Sequence, residues 1–200
     1  TFKNLFTKEQ WDACSYEGRI YAIPEIGHTA MVDQAIIWNR DHLKAVGINK
    51  IPTTIGETHD ALHKLQAHFG PKNKDYYAFS LYGTIPVNNP LSCAFEVPGE
   101  WWVDEQGNLQ NVIQSKQWGT YITWMNGLLN DGIIAGDWTS QNENNAMNNF
   151  VKENCSAYVA AYWNITPVIE MLVKTYQSFP SELGEGGIIT NSVKKEYVYG

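Results

Sequence analysis

The pattern of apolar and polar positions predicts both strands and helices along this chain. Short apolar or alternating runs that stop at turn residues or Pro are typical of strands. The first such run begins after a turn at Glu17-Gly18 and stops at Pro24, and the last has the composition of a buried strand. Four segments fit the description: residues 19–23, 30–38, 76–81 and 156–161.

The first half of the chain carries two helix signals. A polar run, residues 39–41, opens a short helix over residues 42–46. Thr54 and Glu57 have the spacing of a capping box, in which each side chain hydrogen-bonds the backbone N–H group of the other residue. This box predicts a helix that stops at Gly70-Pro71 and buries Leu62, Leu65 and Phe69 along one face.

The second half carries three helix signals. Ser115 caps the clearest helix, which ends at Gly132 and has its apolar residues at helical spacing. These are Trp118, Tyr121, Ile122, Met125, Leu128 and Leu129, and we expect packing on the sheet through Trp118, Ile122, Met125 and Leu129. A second capping box at residues 140–143 precedes the face Ala146, Met147, Phe150 and Val151. Thr166-Pro167 then predicts a helix to about Tyr176, with Pro at the first helical position.

The order of these elements predicts the fold class. It reads strand, strand, helix, helix, strand, loop, helix, helix, strand, helix, where the loop or set of short pieces covers residues 83–110. Such alternation is typical of an α/β domain, in which helices cover a central sheet.

Composition and charge narrow the classes of partner. The chain has 44% hydrophobic and 18% charged residues, which is typical of a folded protein. Its 14 basic and 21 acidic residues give a net charge of −7, and no basic run is present. These features argue against a nucleic-acid or anionic-membrane partner. The longest apolar stretches are far short of the ~20 residues that a membrane-spanning helix needs.

Aromatic residues make up 13% of the chain, including 8 Trp and 11 Tyr. Such rings serve both in cores and in sugar or peptide sites. The three cysteines, Cys14, Cys93 and Cys155, match no metal or redox spacing. A Cys93–Cys155 bridge is one reading, and three inert buried thiols are the reading that we favour.

Three phrases in a fixed order carry a family resemblance. The first is WDACSYEGRIYAIP, residues 11–24, and the second is IIWNRDHLKAVGI, residues 36–48, followed by PTT. The third is AMNNF, residues 146–150, followed by SAY and then Trp163. Together they resemble the extracellular solute-binding proteins of ABC importers, in the family of the maltose- and oligosaccharide-binding proteins. One departure is Glu153-Asn154-Cys155, which stands where the family usually has a Gly turn.

The resemblance implies a periplasmic-binding-protein-like type II fold, a clamshell of two lobes that holds ligand between them. Residues 1–27 would be the end of lobe one with its hinge strand, residues 28–180 lobe two with a mixed sheet flanked by helices, and residues 181–200 a return segment toward lobe one. We expect the chain to be a piece of a longer protein that binds sugar more tightly than the piece does. The implied location is extracytoplasmic, as a cell-surface lipoprotein or a periplasmic protein.

The implied function is capture without chemistry. The expected partners are a small-molecule ligand, namely a carbohydrate, and the membrane permease of an ABC importer, with no nucleic acid and no catalytic residue, cofactor or metal. Two alternatives remain open. One is a carbohydrate-active enzyme domain such as a glycosidase, which needs two carboxylates across a cleft. The other is a peptide- or metal-binding member of the same fold.

Two aromatic residues follow predicted strands and are the leading candidates for ligand contact. Trp163 comes after the strand at residues 156–161, and Tyr82 comes after the strand at residues 76–81. Residues at such strand ends face the ligand crevice of an open α/β sheet. In the sugar-binding relatives an aromatic residue in the region of Trp163 stacks on a pyranose face. The competing interpretations make Trp163 a residue of the core or an interface, and the segment after Tyr82 an ordinary polar loop.

Further candidates are polar residues and a Trp pair. Thr84 and Asn88 follow Tyr82. The presumed crossover between lobes is flanked by Glu25, His28 and Asp33. Hydroxyls, amides and carboxylates are suitable hydrogen-bond partners for sugar hydroxyl groups. The pair Trp101-Trp102 is either a ligand platform or a lid over the core. His59 and His63 have the i, i+4 spacing of a zinc site but no evident third ligand, so we interpret them as a solvated helix face.

Overall fold

The computed structural model describes residues 2–24, 34–83, 90–176, 180–184, 188–191 and 195–199. The chain divides into two compact units, Thr1–Asp33 and Gln34–Gly200. The smaller unit contains a 3₁₀ helix, Phe2–Leu5, followed by α1 (Lys8–Ala13), β1 (Ser15–Tyr16) and β2 (Arg19–Ile20).

The strand predicted at residues 19–23 is shorter in the structure. β1 and β2 form a two-residue hairpin, because β1 offers only Ser15 and Tyr16 for pairing. The turn between them places Glu17 at φ 48° and Gly18 at φ 75°. Two successive positive φ values are those of a type I′ turn, the connection that matches the twist of a hairpin.

The larger unit begins with β3 (Gln34–Asn39), α2 (Arg40–Ala45), α3 (Ile55–Phe69), β4 (Phe79–Ser80) and α4 (Pro90–Ala94). It continues with β5 (Trp101–Val103), β6 (Leu109–Asn111), α5 (Lys116–Asn130), α6 (Glu143–Val151), β7 (Ala157–Ala161) and α7 (Ile165–Tyr176). The last three strands are β8 (Pro180–Gly184), β9 (Ile188–Asn191) and β10 (Lys195–Tyr199).

Six strands of this unit form one mixed sheet in the order β4-β7-β3-β10-β9-β8. β4 runs parallel to β7, whereas β3 pairs with β7 antiparallel, with Gln34 opposite Ala161. The remaining neighbours are also antiparallel. The predicted α/β class with a mixed central sheet is therefore confirmed. The hairpin β5–β6 is a separate sheet.

Alternate residues of β7 point into two cores, one on each face of the sheet. Ala157 and Val159 belong to the core that includes residues of α2, α3, α4 and α5. Tyr158 and Ala160 belong to the core that includes residues of α6 and α7. Because side chains alternate along a strand, a strand covered on both faces is apolar at every position. The result is a three-layered unit.

Two of the five predicted helix starts agree with the structure, those of α3 and α5. Thr54 and Glu57 form their capping box, and the Ser115 hydroxyl accepts the N–H of Trp118 at the start of α5. The buried stripe of α5 consists of Tyr121, Met125 and Leu128, while Trp118 and Ile122 pack partly buried at its margin and Leu129 is half-exposed.

The other three predicted starts are wrong. α2 begins at Arg40, two residues before the predicted start at residue 42, because Asn39 caps it by accepting the N–H of His42. Ser140 lies in a 3₁₀ turn, and α6 is capped instead by Asn142, which exchanges side-chain hydrogen bonds with Asn145. Asn142 displaces Ser140 because it is the last residue before the helical turn, and Asn caps as well as Ser. The helix predicted with Pro167 as its first residue begins two residues earlier, at Ile165.

The three cysteines are free thiols. Cys155 is buried, and this burial raises the pKa of its thiol. Cys93 is exposed and Cys14 is half-buried, so the prediction of three buried thiols holds for Cys155 alone.

Candidate functional site

Three strands of the mixed sheet reach the same edge. β4 and β7 are parallel, so the residues that follow them, Leu81-Tyr82 and Tyr162-Trp163, leave the sheet at one edge. β3 is antiparallel to β7 and begins at that edge with Gln34. In open α/β sheets the crevice outside the carboxyl ends of parallel strands is where ligands bind. The structure therefore brings Tyr82 and Trp163, two predicted site residues, to one edge.

A cavity of about 300 Å³ opens beside these strand ends. Its walls include Gln34, Ser80, Tyr82, Gly83 and Trp138. None of the described residues that line it carries a charge. This volume is at the lower end of the range for small-molecule sites, and a lining of aromatic rings with a few amide and hydroxyl groups is typical of them.

The carboxylate of Glu143 joins the ends of β4 and β7. The Tyr82 hydroxyl donates to Glu143 Oε1 over 3.3 Å, and Asn164 Nδ2 donates to the same oxygen over 2.9 Å. Asn164 is 2% exposed, and its Oδ1 accepts the backbone N–H of Ala161 over 2.8 Å. Trp163 directly precedes Asn164, so this cluster holds the turn that presents its ring.

The sequence did not point to Glu143 or Asn164 as site residues. In the predicted capping box, Glu143 would have reached back to residue 140. Because Asn142 and Asn145 cap α6 instead, the Glu143 side chain is not used in the capping box. Its carboxylate accepts hydrogen bonds from Tyr82 and Asn164. The missed signal was an Asn directly ahead of an apolar helical face.

The environment of Tyr82 keeps its hydroxyl protonated. Partial burial raises the pKa of Tyr82 to about 12, and the nearby charge of Glu143 and the hydrogen bond to its carboxylate act in the same direction. All three effects disfavour a phenolate. The hydroxyl therefore remains a donor throughout the physiological pH range.

A second set of hydrogen bonds holds the chain where β4 ends. The backbone N–H of Gly83 donates to the carbonyl of Gln141 over 3.0 Å. Asn149 Nδ2 donates to Gln141 Oε1 over 3.2 Å and lies 3.5 Å from the Ser80 hydroxyl. The loop before α6 thus supports the wall of the cavity that Ser80, Tyr82 and Gly83 form.

The remaining predicted site residues fall into two groups. Trp163 and Trp101 both expose about half or more of their surface, at 51% and 60%. However, Trp101 and Trp102 lie on the separate hairpin β5–β6, and neither lines the cavity. The predictions for Glu25, His28, Asp33, Thr84 and Asn88 lie outside the described residues.

His59 and His63 form contacts within the protein. His63 Nδ1 lies 2.8 Å from the carbonyl oxygen of His59, and Nε2 lies 3.0 Å from Asp131 Oδ2. Within the described ranges, no group of three His, Cys, Asp or Glu residues is arranged to hold a metal ion. Over the same ranges, no helix has the length and apolar character needed to span a bilayer.

No protein-family model matches the chain, and no curated protein sequence matches it. Solved structures do match. S. pneumoniae FusA in complex with kestose has a TM-score of 0.60 and 18% identity, over 78% of this chain and 35% of that one. The GacH receptor of Streptomyces glaucescens, solved unliganded and with acarbose, has a TM-score of 0.57 and 18% identity, over 97% and 48%.

Maltose-bound MalE3 of T. maritima has a TM-score of 0.56 and 18% identity, over 84% of this chain and 41% of that one. The chain thus spans less than half the length of each of these three proteins. At this identity the similarity defines the fold. The chain has the periplasmic-binding-protein-like α/β fold of the sugar-binding solute-binding proteins of ABC transporters, which confirms the fold that the resemblance implied.

Proposed function

We propose that this chain forms part of a non-catalytic protein that captures a carbohydrate outside the cytoplasm for an ABC importer. One observation carries the proposal: the parallel strands β4 and β7 deliver Tyr82 and Trp163 to the same sheet edge, beside a cavity of about 300 Å³ that Tyr82 lines and whose described lining residues are uncharged. The ligands of these structural neighbours, kestose, acarbose and maltose, are carbohydrates and support the same ligand class.

The chemistry of the site suits a neutral sugar. The half-exposed ring of Trp163 offers an apolar face on which the C–H groups of a pyranose can stack. Gln34, Ser80 and Tyr82 supply amide and hydroxyl groups to the cavity, and such groups both donate to and accept from sugar hydroxyls.

Further parts of the proposal concern the whole protein. The captured sugar would pass to a membrane permease, and the protein would be periplasmic or anchored to the cell surface as a lipoprotein. Glu25, His28, Asp33, Thr84 and Asn88 are proposed to complete the grip from their own segments, and Trp101 and Trp102 are proposed as an additional ligand contact on the hairpin.

Calorimetric titration of the full-length protein with malto- and fructo-oligosaccharides tests this function. We expect binding, a loss of at least tenfold in affinity for Trp163→Ala, and a smaller effect for Trp101→Ala, which removes an equally exposed ring from the hairpin. Absence of binding to any sugar, with binding of a peptide instead, would contradict the proposal.

A hydrolysis assay separates capture from catalysis. A glycosidase uses two carboxylates about 5–9.5 Å apart to hydrolyse the glycosidic bond. This alternative therefore predicts turnover of chromogenic glycosides. The capture function predicts that the protein binds these oligosaccharides and releases them unchanged.

A further inference from the structure

We propose that Glu143 is the specificity-determining residue of this site, and that its carboxylate makes the site select neutral glycans over anionic ones. The anionic class comprises uronic acids and sugar phosphates. The inference rests on the proposed function, since it concerns the choice among carbohydrates at the edge that Tyr82 and Trp163 form.

The first step is the geometry of the carboxylate. Glu143 Oε1 accepts from both Tyr82 and Asn164, whereas Oε2 has no hydrogen-bond donor among the described residues. An ionised carboxylate has about four lone-pair sites for hydrogen bonds. One oxygen therefore holds the strand ends, and the other keeps its lone pairs for a further donor.

The second step is the charge. Within the described ranges, Glu143 forms no ion pair with a Lys, Arg or His, and the cavity lining beside it is uncharged. The carboxylate lies at the hydroxyl end of Tyr82, whose ring is a wall of the cavity. A ligand carboxylate or phosphate that enters here meets a negative charge that no described Lys, Arg or His pairs with, and a repulsive element of this kind is an effective source of specificity.

The negative charge of Glu143 is not needed to hold the strand ends together. The hydrogen bonds from Tyr82 and Asn164 require an oxygen acceptor but no net charge. A glutamine amide oxygen would serve both donors in the same geometry. The local structure therefore does not require an ionised group at this position. We expect the charge to affect the relative affinity for neutral and anionic ligands instead. Glu143→Gln isolates that consequence.

The experiment compares two ligands of matched shape. The full-length protein is titrated calorimetrically with a neutral oligosaccharide and with its derivative oxidised to the uronic acid at C6, at low and at moderate salt. For the wild type we expect the neutral ligand to bind on the order of tenfold more tightly or better, with less discrimination as salt screens the charge. Glu143→Gln should reduce this ratio at least threefold.

Controls assign the effect to this position. Glu170→Gln makes the same chemical change on an exposed residue of α7 and should leave the ratio unchanged. Circular dichroism and the midpoint of urea unfolding confirm that each variant is folded. If Glu143→Gln does not fold, the salt dependence of the wild-type ratio decides: a ratio that is independent of salt overturns the inference.

The outcomes are distinguishable. Equal affinity of the wild type for both ligands, or full discrimination retained by a folded Glu143→Gln variant, overturns the role of Glu143 while binding of the neutral sugar supports capture. If the wild type binds neither ligand and no other sugar, the proposed function fails and the inference fails with it.

Discussion

Tyr82 and Glu143 are joined by a hydrogen bond of 3.3 Å that connects the end of β4 to the first turn of α6. Asn164 extends the connection to the end of β7 by donating to the same carboxylate oxygen. Two parallel strands are thereby tied together at the edge where their aromatic residues emerge. Asn164 directly follows Trp163, so these hydrogen bonds hold the chain beside both aromatic residues.

Removing the hydroxyl of Tyr82 tests the tie directly. Tyr82→Phe loses the hydrogen bond to Glu143 but keeps the ring, and we expect unfolding in urea to require about 1 kcal/mol less free energy. Tyr77→Phe is the matched control, because no hydrogen bond of the Tyr77 hydroxyl to a described residue is present, and its effect should be close to zero. Equal losses in the free energy of unfolding for Tyr82→Phe and Tyr77→Phe would contradict a stabilising hydrogen bond between Tyr82 and Glu143.

Alkaline pH should weaken the folded state. Tyr82 has an ordinary pKa of 10.0 that rises to about 12 in the folded protein, so folding favours the protonated phenol. Its contribution is present below pH 10 and is lost as pH rises from 10 to about 12. Urea midpoints measured across that window should fall, and Tyr82→Phe should flatten the slope. Burial raises the pKa of Tyr76 as well, so some slope remains in the variant.

The hydroxyl of Ser156 is the centre of a buried polar cluster. It lies 2.7 Å from His42 Nδ1 and is hydrogen-bonded to the Tyr76 hydroxyl, and Ser156 is fully buried. Ser156→Ala would leave both partners without this bond, at a cost of about 3 kcal/mol in the free energy of unfolding. Ser140→Ala, on an exposed residue, should cost below about 0.5 kcal/mol. A mild effect at Ser156 would show that the cluster rearranges.

Glu153 has a backbone conformation that favours glycine. It follows the C-cap of α6 at φ 61°, and its N–H donates to the carbonyl of Phe150. The solute-binding protein family that the sequence resembles usually has a Gly turn at this position. Glu153→Gly should therefore stabilise the protein by about 0.5–1 kcal/mol in urea unfolding.

The adjacent residue provides the control for that substitution. Lys152 has φ −82°, which any residue adopts, so Lys152→Gly should destabilise by about 0.5–1 kcal/mol. A destabilising Glu153→Gly would mean that the side chain contributes more than the positive φ costs.

Local signals explain which parts of the fold were predictable. The capping box of Thr54 and Glu57 and the cap at Ser115 need only residues three apart, so the sequence contains the whole interaction. The strand at β7 was predictable because both of its faces are covered and every position is apolar. Where two caps compete, as Ser140 and Asn142 do, the local signal does not decide between them.

Long-range contacts explain what was missed. The partners of Glu143 are 61 and 21 residues away in the sequence, and their meeting depends on the parallel pairing of β4 with β7. Tyr82 and Trp163 were predictable because each lies just after a strand that the sequence itself indicates. Glu143 was not predictable in this way, because it lies on α6 and reaches that edge only through its side chain.

The central claim is that a sugar binds at the edge where β4 and β7 end. The most direct measurement is a crystal structure of the full-length protein with the neutral oligosaccharide that it binds most tightly. We expect a sugar ring stacked on the face of Trp163, with hydroxyl groups hydrogen-bonded to Tyr82 or Glu143. An oligosaccharide that binds elsewhere and touches neither Trp163 nor Tyr82 would contradict the claim.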